Sequence, residues 1–255
     1  MEEPKKRMCL LYVGKGTGGE GPAKIMELLS SKGCIVDKCE QIPDDISMYQ
    51  VIIFPGGSAA AQQKSIGEKG ANRVTEFVKN GGNFVGICAG AYLACLISCY
   101  NLLIQKVLKI SIWEGYNEKK KVGLRLLDIK YFVPYQARKV KKQNLDIKAD
   151  VMLKIKKESD ALKWIGGDRE TFQCKYHNGP LWKEIDTKGK GVEILCYYTE
   201  EIKMQDNNKR ANASVKSKVA KVLSNNIAIM RGSFFSGNVL VCLFSSQPSH
   251  QLFFI

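Results

Sequence analysis

The stretch Asn83-Phe84-Val85-Gly86-Ile87-Cys88-Ala89-Gly90-Ala91 passes from a short apolar run into a helix-forming segment, and one cysteine stands between its glycines. This pattern is typical of a nucleophile elbow, in which a sharp strand-to-helix turn points a reactive side chain away from the sheet. The first N–H groups of the following helix lack intrahelical partners, so they can stabilise a thiolate or a developing oxyanion. The sequence therefore predicts Cys88 as a candidate nucleophile.

A second glycine turn precedes this one by about thirty residues. Phe54-Pro55-Gly56-Gly57-Ser58 follows the unbroken apolar run 51–54, which predicts a buried strand. Glycines at that point leave backbone N–H groups exposed near the carboxyl edge of the sheet. Together with the N–H of Ala89, these groups are predicted to form an oxyanion hole facing Cys88.

Strands and helices alternate along the first hundred residues. The apolar patterns predict strands over 8–13, 34–39, 51–54 and 83–87, and helices over 22–31 and 68–79. Such alternation indicates a parallel sheet covered on both faces, with functional loops at the carboxyl ends of the strands.

The pattern changes after about residue 105. Further strands are predicted over 122–133, 151–155, 172–176, 192–198, 227–230 and 239–244. The polar stretch 199–226 is predicted to be a surface insertion that holds a short helix. No boundary divides the chain, so residues 1–255 are interpreted as a single domain.

Composition narrows the classes of function. A chain of 255 residues that is 45% apolar can bury a sizeable core. The nine cysteines include no CxxC pair, which favours reduced core thiols and argues against a disulfide framework or a metal site; no cofactor is predicted. The first apolar run is too short for a signal segment or a membrane span, which predicts a cytoplasmic protein without membrane contact.

The net charge of +14 raises the question of nucleic-acid binding. The lysines cluster in loops with little aromatic interleaving, and no nucleic-acid module is visible. Solvated insertions are therefore favoured over a dedicated nucleic-acid site.

The order strand, Pro-Gly-Gly, helix and Gly-Gly-Asn-Phe-Val-Gly-Ile-Cys-Ala-Gly-Ala-Tyr resembles the class I glutamine amidotransferase-like superfamily. The closest likeness is to the N-terminal domain of eukaryotic biotin-protein ligases, and it extends to the segments 12–17, 67–82, 176–180 and 227–248. The resemblance implies an α/β fold with a three-layer, flavodoxin-like sheet that is mostly parallel and gains antiparallel strands in the C-terminal half.

The resemblance also implies a site. A cysteine nucleophile, here Cys88, would be activated by a histidine that a carboxylate orients, and the amides of Gly57 and Ala89 would form the oxyanion hole. The same pocket would include Gly56, Gly90 and Asn178.

The segment that should carry the base departs from the superfamily. Where a His-Pro-Glu sequence is expected after the last strand, this chain has Gln247-Pro248-Ser249. Glutamine cannot accept and return a proton near neutral pH, and serine cannot orient an imidazole as a carboxylate does. The two histidines of the chain, His177 and His250, are the remaining candidates for a base.

Three functions compete on this basis. The favoured one is a degenerate, non-catalytic domain, a pseudoenzyme that binds a small molecule or a protein partner through the Cys88 pocket. The second is an active thiol hydrolase or amidotransferase that uses His177 or His250, and the third is a basic binder of nucleic acid or of an acidic partner. The chain contains no Gly-Arg-Gly-Arg run of the kind that a biotin ligase catalytic domain needs, so it is not predicted to be a biotin ligase itself.

Overall fold

The structure is a computed structural model. It describes residues 6–97, 123–132, 148–156, 170–177, 179, 181–182, 191–205, 217, 220–221 and 223–243.

Three helices and twelve strands have defined bounds within these residues. The helices are α1 (Gly21–Ser31), α2 (Ala59–Lys79) and α3 (Ala89–Ala94). The strands are β1 (Met8–Tyr12), β2 (Ile35–Cys39), β3 (Val51–Phe54), β4 (Asn83–Ile87), β5 (Cys95–Ile97), β6 (Leu127–Phe132), β7 (Lys148–Ile155), β8 (Thr171–His177), β9 (Leu181–Trp182), β10 (Val192–Met204), β11 (Ile227–Phe234) and β12 (Gly237–Cys242).

Nine of these strands form one mixed sheet in the order β2-β1-β3-β4-β12-β11-β10-β7-β8, and β5, β6 and β9 form a smaller sheet. The first five strands in that order pair in parallel, whereas the pairs from β12 to β8 are antiparallel. The predicted fold class, a mostly parallel sheet that gains antiparallel strands in the C-terminal half, is confirmed.

The strand order also places the helices. The connection from β1 to β2 runs in one direction along the sheet, and the connection from β3 to β4 runs in the other. Because crossovers between parallel strands are right-handed, α1 and α2 cover opposite faces. The parallel half therefore has the three-layer arrangement that the resemblance implied.

Helix α2 begins earlier than predicted. The sequence indicated a helix from residue 68, but the helix starts at Ala59, where the Ser58 side chain accepts a hydrogen bond from the Ala61 N–H. The backbone at Gly67 leaves the helical conformation, with φ 63° and ψ −171°, so the helix is kinked there. Gly67 thus divides α2 into two helical halves, and the predicted helix over 68–79 is the second of them.

Strand β10 corrects the predicted insertion. Residues 199–204, assigned to the insertion, form the second half of β10 and pair with β7, with Ile202 opposite Val151 and Met204 opposite Ala149. Residues 206–216 lie outside the described residues, so an insertion there stays a prediction. Leu223, near the end of the same range, is fully buried in the core.

Candidate functional site

Cys88 occupies the turn between β4 and α3, at the carboxyl edge of the parallel strands. Its backbone has φ 49° and ψ −96°, a conformation that residues other than glycine seldom adopt. The Cys88 N–H donates to the Cys242 carbonyl at 2.8 Å, and its own carbonyl accepts from the Tyr92 N–H at 3.2 Å. The first bond holds the sharp turn against the end of β12, and the second joins it to the first turn of α3.

The glycines on either side of Cys88 allow the turn to pack. A Cβ at Gly86 would lie 2.6 Å from the Gly90 backbone, and a Cβ at Gly90 would lie 2.1 Å from the Phe54 carbonyl oxygen. Helix α3 therefore contacts β4 and β3 backbone to backbone. Larger side chains at either position would push Cys88 away from the end of β3.

Gly57 presents its amide to Cys88 because of how two loops pair. Gly57 and Thr17 form an antiparallel bridge, and the bonds beside it run from Gly18 N–H to the Gly56 carbonyl (3.0 Å) and from Ser58 N–H to the Gly16 carbonyl (2.7 Å). In such a pair the two central residues keep their own N–H groups outside the bridge. The N–H of Gly57 is thus available to Cys88, where it and the Ala89 N–H both hydrogen-bond to the sulfur.

The close approach of these loops requires glycine at position 57. Its φ is 143°, and a Cβ there would lie 2.0 Å from the Gly16 carbonyl oxygen. A Cβ at Gly56 would instead lie 3.6 Å from the Cβ of Cys88, which is ordinary van der Waals contact. Of these two glycines, Gly57 supplies the amide and Gly56 packs beside the cysteine.

The thiol of Cys88 is held in its neutral form. Burial raises its pKa from 9.0 to about 11, although the amides of Ala89 and Gly57 act in the opposite direction by stabilising the thiolate. The residue is only 6% exposed. At neutral pH roughly one such thiol in ten thousand is ionised, compared with about one in a hundred at a pKa of 9.

His177 meets Cys88 through its main chain. The Cys88 Sγ donates to the His177 carbonyl oxygen at 3.6 Å. Along β8 the buried side chains are Cys174 and Tyr176, and the exposed Lys175 lies on the other face, which His177 shares by the alternation of the strand. A carbonyl oxygen accepts the S–H hydrogen but cannot take up the proton, so this contact provides no base.

Of the other residues predicted for the base and pocket, the structure describes only Gly90. Gly90 is buried on α3 beside β3, as described. Asn178, Gln247 and His250 lie outside the described residues, and their roles stay predictions.

Two buried tyrosines near Cys88 were not predicted. The Tyr176 hydroxyl donates to the Gly179 carbonyl at 2.7 Å, whereas the buried Tyr198 hydroxyl has no hydrogen-bond partner among the described residues. Their rings meet edge to face with centroids 6.0 Å apart. Burial is the main cause that raises the pKa of both phenols. Charge repulsion adds to it, from Cys88 for Tyr176 and from Tyr176, Cys174 and Cys88 for Tyr198. The alternating pattern of the strands could have placed both rings on a buried face, but only the sheet order brings them to Cys88.

The described residues contain neither a metal-binding cluster nor a helix that could span a membrane. In these ranges no three His, Cys, Asp or Glu side chains come together in a way that could hold a metal ion. None of the helices described is both long enough and apolar enough to cross a membrane.

One part of the chain matches a known protein family. Residues 45–106 match the family model of the biotin-protein ligase N-terminal domain, a range that includes both glycine turns of the site. The resemblance predicted from the sequence is confirmed over these 62 residues. They extend from before β3 to beyond α3 and so include Gly56, Gly57 and Cys88.

Similarity to individual proteins is more distant. A protein of Chlamydia muridarum (strain MoPn / Nigg), described as uncharacterized, is 37% identical over 46 residues, which make up 18% of this chain and 18% of that protein. PurLQS from Thermotoga maritima superposes with a TM-score of 0.52 at 16% identity, covering 95% of this chain and 88% of that one. A ThuA-like protein from Bacteroides uniformis ATCC 8492 gives a TM-score of 0.51 at 13% identity, with 97% and 86% covered. At these identities the structures support the fold alone.

Proposed function

We propose that this amidotransferase-like domain is a binding domain in which the Cys88 site no longer performs triad catalysis. The observation that carries the proposal is the contact of the Cys88 thiol with the His177 carbonyl, because a thiol that donates its hydrogen there is protonated and inactive as a nucleophile. The sequence Gln247-Pro248-Ser249 supports the same conclusion, since neither a base nor a carboxylate stands where the superfamily has them.

The features that remain define the class of ligand. The amides of Gly57 and Ala89 both act on the Cys88 sulfur, and a pair of N–H donors at one site suits an oxygen that carries negative charge or a strong dipole. A small molecule with a carboxylate or a carboxamide group fits this description. The ligand must displace part of the surroundings of Cys88, because that residue is 6% exposed.

Hydrolysis separates this proposal from an active thiol enzyme. Ammonia release from L-glutamine and hydrolysis of p-nitrophenyl acetate are measured near neutral pH for the wild type and for Cys88→Ala. We expect equal rates for the two proteins with both substrates. A wild-type rate tenfold or more above that of Cys88→Ala would overturn the proposal, and His177→Asn and His250→Asn would then identify the base.

Binding is tested by protection of the thiol. Alkylation of Cys88 by iodoacetamide is followed by peptide mass spectrometry in the presence of acetate, acetamide or L-glutamine. We expect at least one of these probes to slow the modification of Cys88 while the rate at the half-buried Cys34 stays constant. Equal rates at Cys88 with and without all three probes would remove the support for a carboxylate or carboxamide ligand.

A further inference from the structure

The main chain that contacts the Cys88 thiol is held in place from two directions. Tyr176, which is 1% exposed, donates its hydroxyl hydrogen to the Gly179 carbonyl at 2.7 Å. Gly179 also lies against the end of β12, so closely that a Cβ there would come within 1.8 Å of the Leu243 carbonyl oxygen. The carbonyl of His177, one residue after Tyr176, therefore has a fixed position relative to the site.

The groups around the Cys88 sulfur have opposite effects on its protonation. The Gly57 and Ala89 amides donate hydrogen bonds that favour a thiolate, whereas the His177 carbonyl accepts a hydrogen bond that only the protonated thiol can donate. Titratable groups near the thiol, among the described residues, include the phenols of Tyr176 on β8 and Tyr198 on β10, the thiol of Cys242 at the end of β12, and the side chain of His177. Both phenols are buried and neutral, so neither acts as a charged partner for the sulfur.

We propose that Tyr176 is a positioning residue that holds the His177 carbonyl against the Cys88 thiol and so adds to the effect of burial in keeping this sulfur protonated and unreactive. Without the carbonyl, the two amide donors still favour the thiolate, while the burial that opposes them is unchanged. This inference rests on the proposed function, because it takes the wild-type thiol to be unactivated.

The chain offers a matched pair of variants. Tyr176→Phe removes the hydroxyl that holds Gly179, and Tyr198→Phe removes a hydroxyl that has no hydrogen-bond partner among the described residues. The two residues are both buried in the same aromatic contact, and both variants keep the ring. A difference between them therefore reports the Tyr176–Gly179 hydrogen bond.

The readout is the rate at which iodoacetamide modifies each cysteine, resolved by mass spectrometry between pH 7 and pH 10. A neutral hydrogen bond contributes about 1 kcal/mol, so Tyr176→Phe should raise the Cys88 rate about fivefold and move its pH profile to lower pH. Tyr198→Phe should match the wild type, and the rates at the buried Cys174 and Cys242 should stay constant in both variants.

Three results would overturn the inference. One is a Cys88 profile in Tyr176→Phe that equals that of the wild type, and the second is an equal acceleration in Tyr198→Phe. The third is a parallel acceleration at Cys174 and Cys242, since that result indicates general loosening of the core and no specific release of the Cys88 thiol.

An infrared measurement covers the case in which Tyr176→Phe does not fold. The S–H stretching band of Cys88, obtained as wild type minus Cys88→Ala, should lie at lower frequency than that of a thiol without an acceptor. A band at the free-thiol frequency would refute the inference. A wild-type Cys88 that alkylates with a midpoint below pH 8 contradicts the proposed function itself, whereas a slow wild type with an unchanged Tyr176→Phe contradicts the positioning role alone.

Discussion

Replacing Gly57 by alanine tests the loop pairing that presents an amide to Cys88. The substitution has two costs, because the φ of 143° disfavours any L side chain and the new Cβ would lie 2.0 Å from the Gly16 carbonyl oxygen. A backbone held in such a region costs roughly 1–3 kcal/mol. Forcing an extra methyl into a packed contact costs about the same again. Together we expect Gly57→Ala to lower the free energy of unfolding by roughly 2–6 kcal/mol.

Two other glycines separate these costs. At Gly19 the φ is also positive, at 59°, but nothing lies within 4 Å of the added Cβ. At Gly56 no positive φ is found, and the Cβ makes an ordinary contact at 3.6 Å. Gly19→Ala should therefore cost about 1 kcal/mol through the backbone alone. Gly56→Ala should stay within about 1 kcal/mol of the wild type, because an alanine that fits also restricts the unfolded chain.

The assay is equilibrium unfolding in urea, with the midpoint and the slope compared across the four proteins. An unchanged slope ensures that the midpoints report stability. A Gly57→Ala variant no less stable than Gly19→Ala would show that the Gly16 and Gly57 loops are not in close contact, and the account of the Gly57 amide would fail with it.

Further predictions concern packing, pH and charge. The Cβ of Gly90→Ala would lie 2.1 Å from the Phe54 carbonyl oxygen, so this variant should lower the free energy of unfolding in urea by about 1–3 kcal/mol. Gly21→Ala on α1 is the control, because nothing lies within 4 Å of its Cβ and its stability should be close to that of the wild type. Equal stabilities of the two variants would contradict the backbone contact of α3 with β3. Burial raises the pKa of Cys242 from 9.0 to about 12, so above pH 9 the unfolded thiol ionises while the folded thiol keeps its proton, and stability falls as the pH rises. Between pH 7.5 and pH 10, Cys242→Ala should lose about 1 kcal/mol less stability than the wild type, and an identical loss in both proteins would refute this. Arg231 and Glu193 form an ion pair at 2.5 Å, and each side chain is about one third exposed. A double-mutant cycle should give a coupling energy of about 0.5–1 kcal/mol, and this energy should decrease at high salt. A coupling energy independent of salt would argue against charge attraction.

The parallel half of the fold follows closely from local sequence. β3 and β4 have the predicted bounds because each is a short, mostly apolar segment followed by a glycine-containing turn. The turn at Cys88 was predictable for the same reason, since only a strand ending at Ile87 and a helix beginning at Ala89 fit the change of pattern.

Strand β10 shows where local sequence is insufficient. Residues 199–204 carry three charged side chains, which suggested a loop. In the antiparallel half, exposed charged residues can alternate with less exposed apolar ones, and here Glu201 and Lys203 alternate with the half-buried Ile202 and Met204. The pairing with β7 also shifts register between Tyr198 and Ile202, which interrupts the alternation that a pattern search detects.

The candidate site also has one part that local sequence predicts and one part that depends on the order of the strands. The sequence places His177 near the sulfur by resemblance, but whether its ring or its carbonyl makes the contact depends on the parity of β8 and on the position of that strand in the sheet. The alternation of β8 gives the parity locally, but no local pattern gives the position of the strand in the sheet. The roles of Tyr176 and Tyr198 were missed for the same reason, because both residues reach Cys88 only through the order of strands.

The protonated state of Cys88 has a consequence for redox chemistry. Peroxides oxidise thiolates, and the first product is a sulfenic acid. A sulfur whose pKa is about 11 offers roughly a hundredfold less thiolate at neutral pH than one at 9.0, so oxidation of Cys88 is slowed by about the same factor. A site with the backbone geometry of a reactive cysteine can thus stay reduced through oxidative stress.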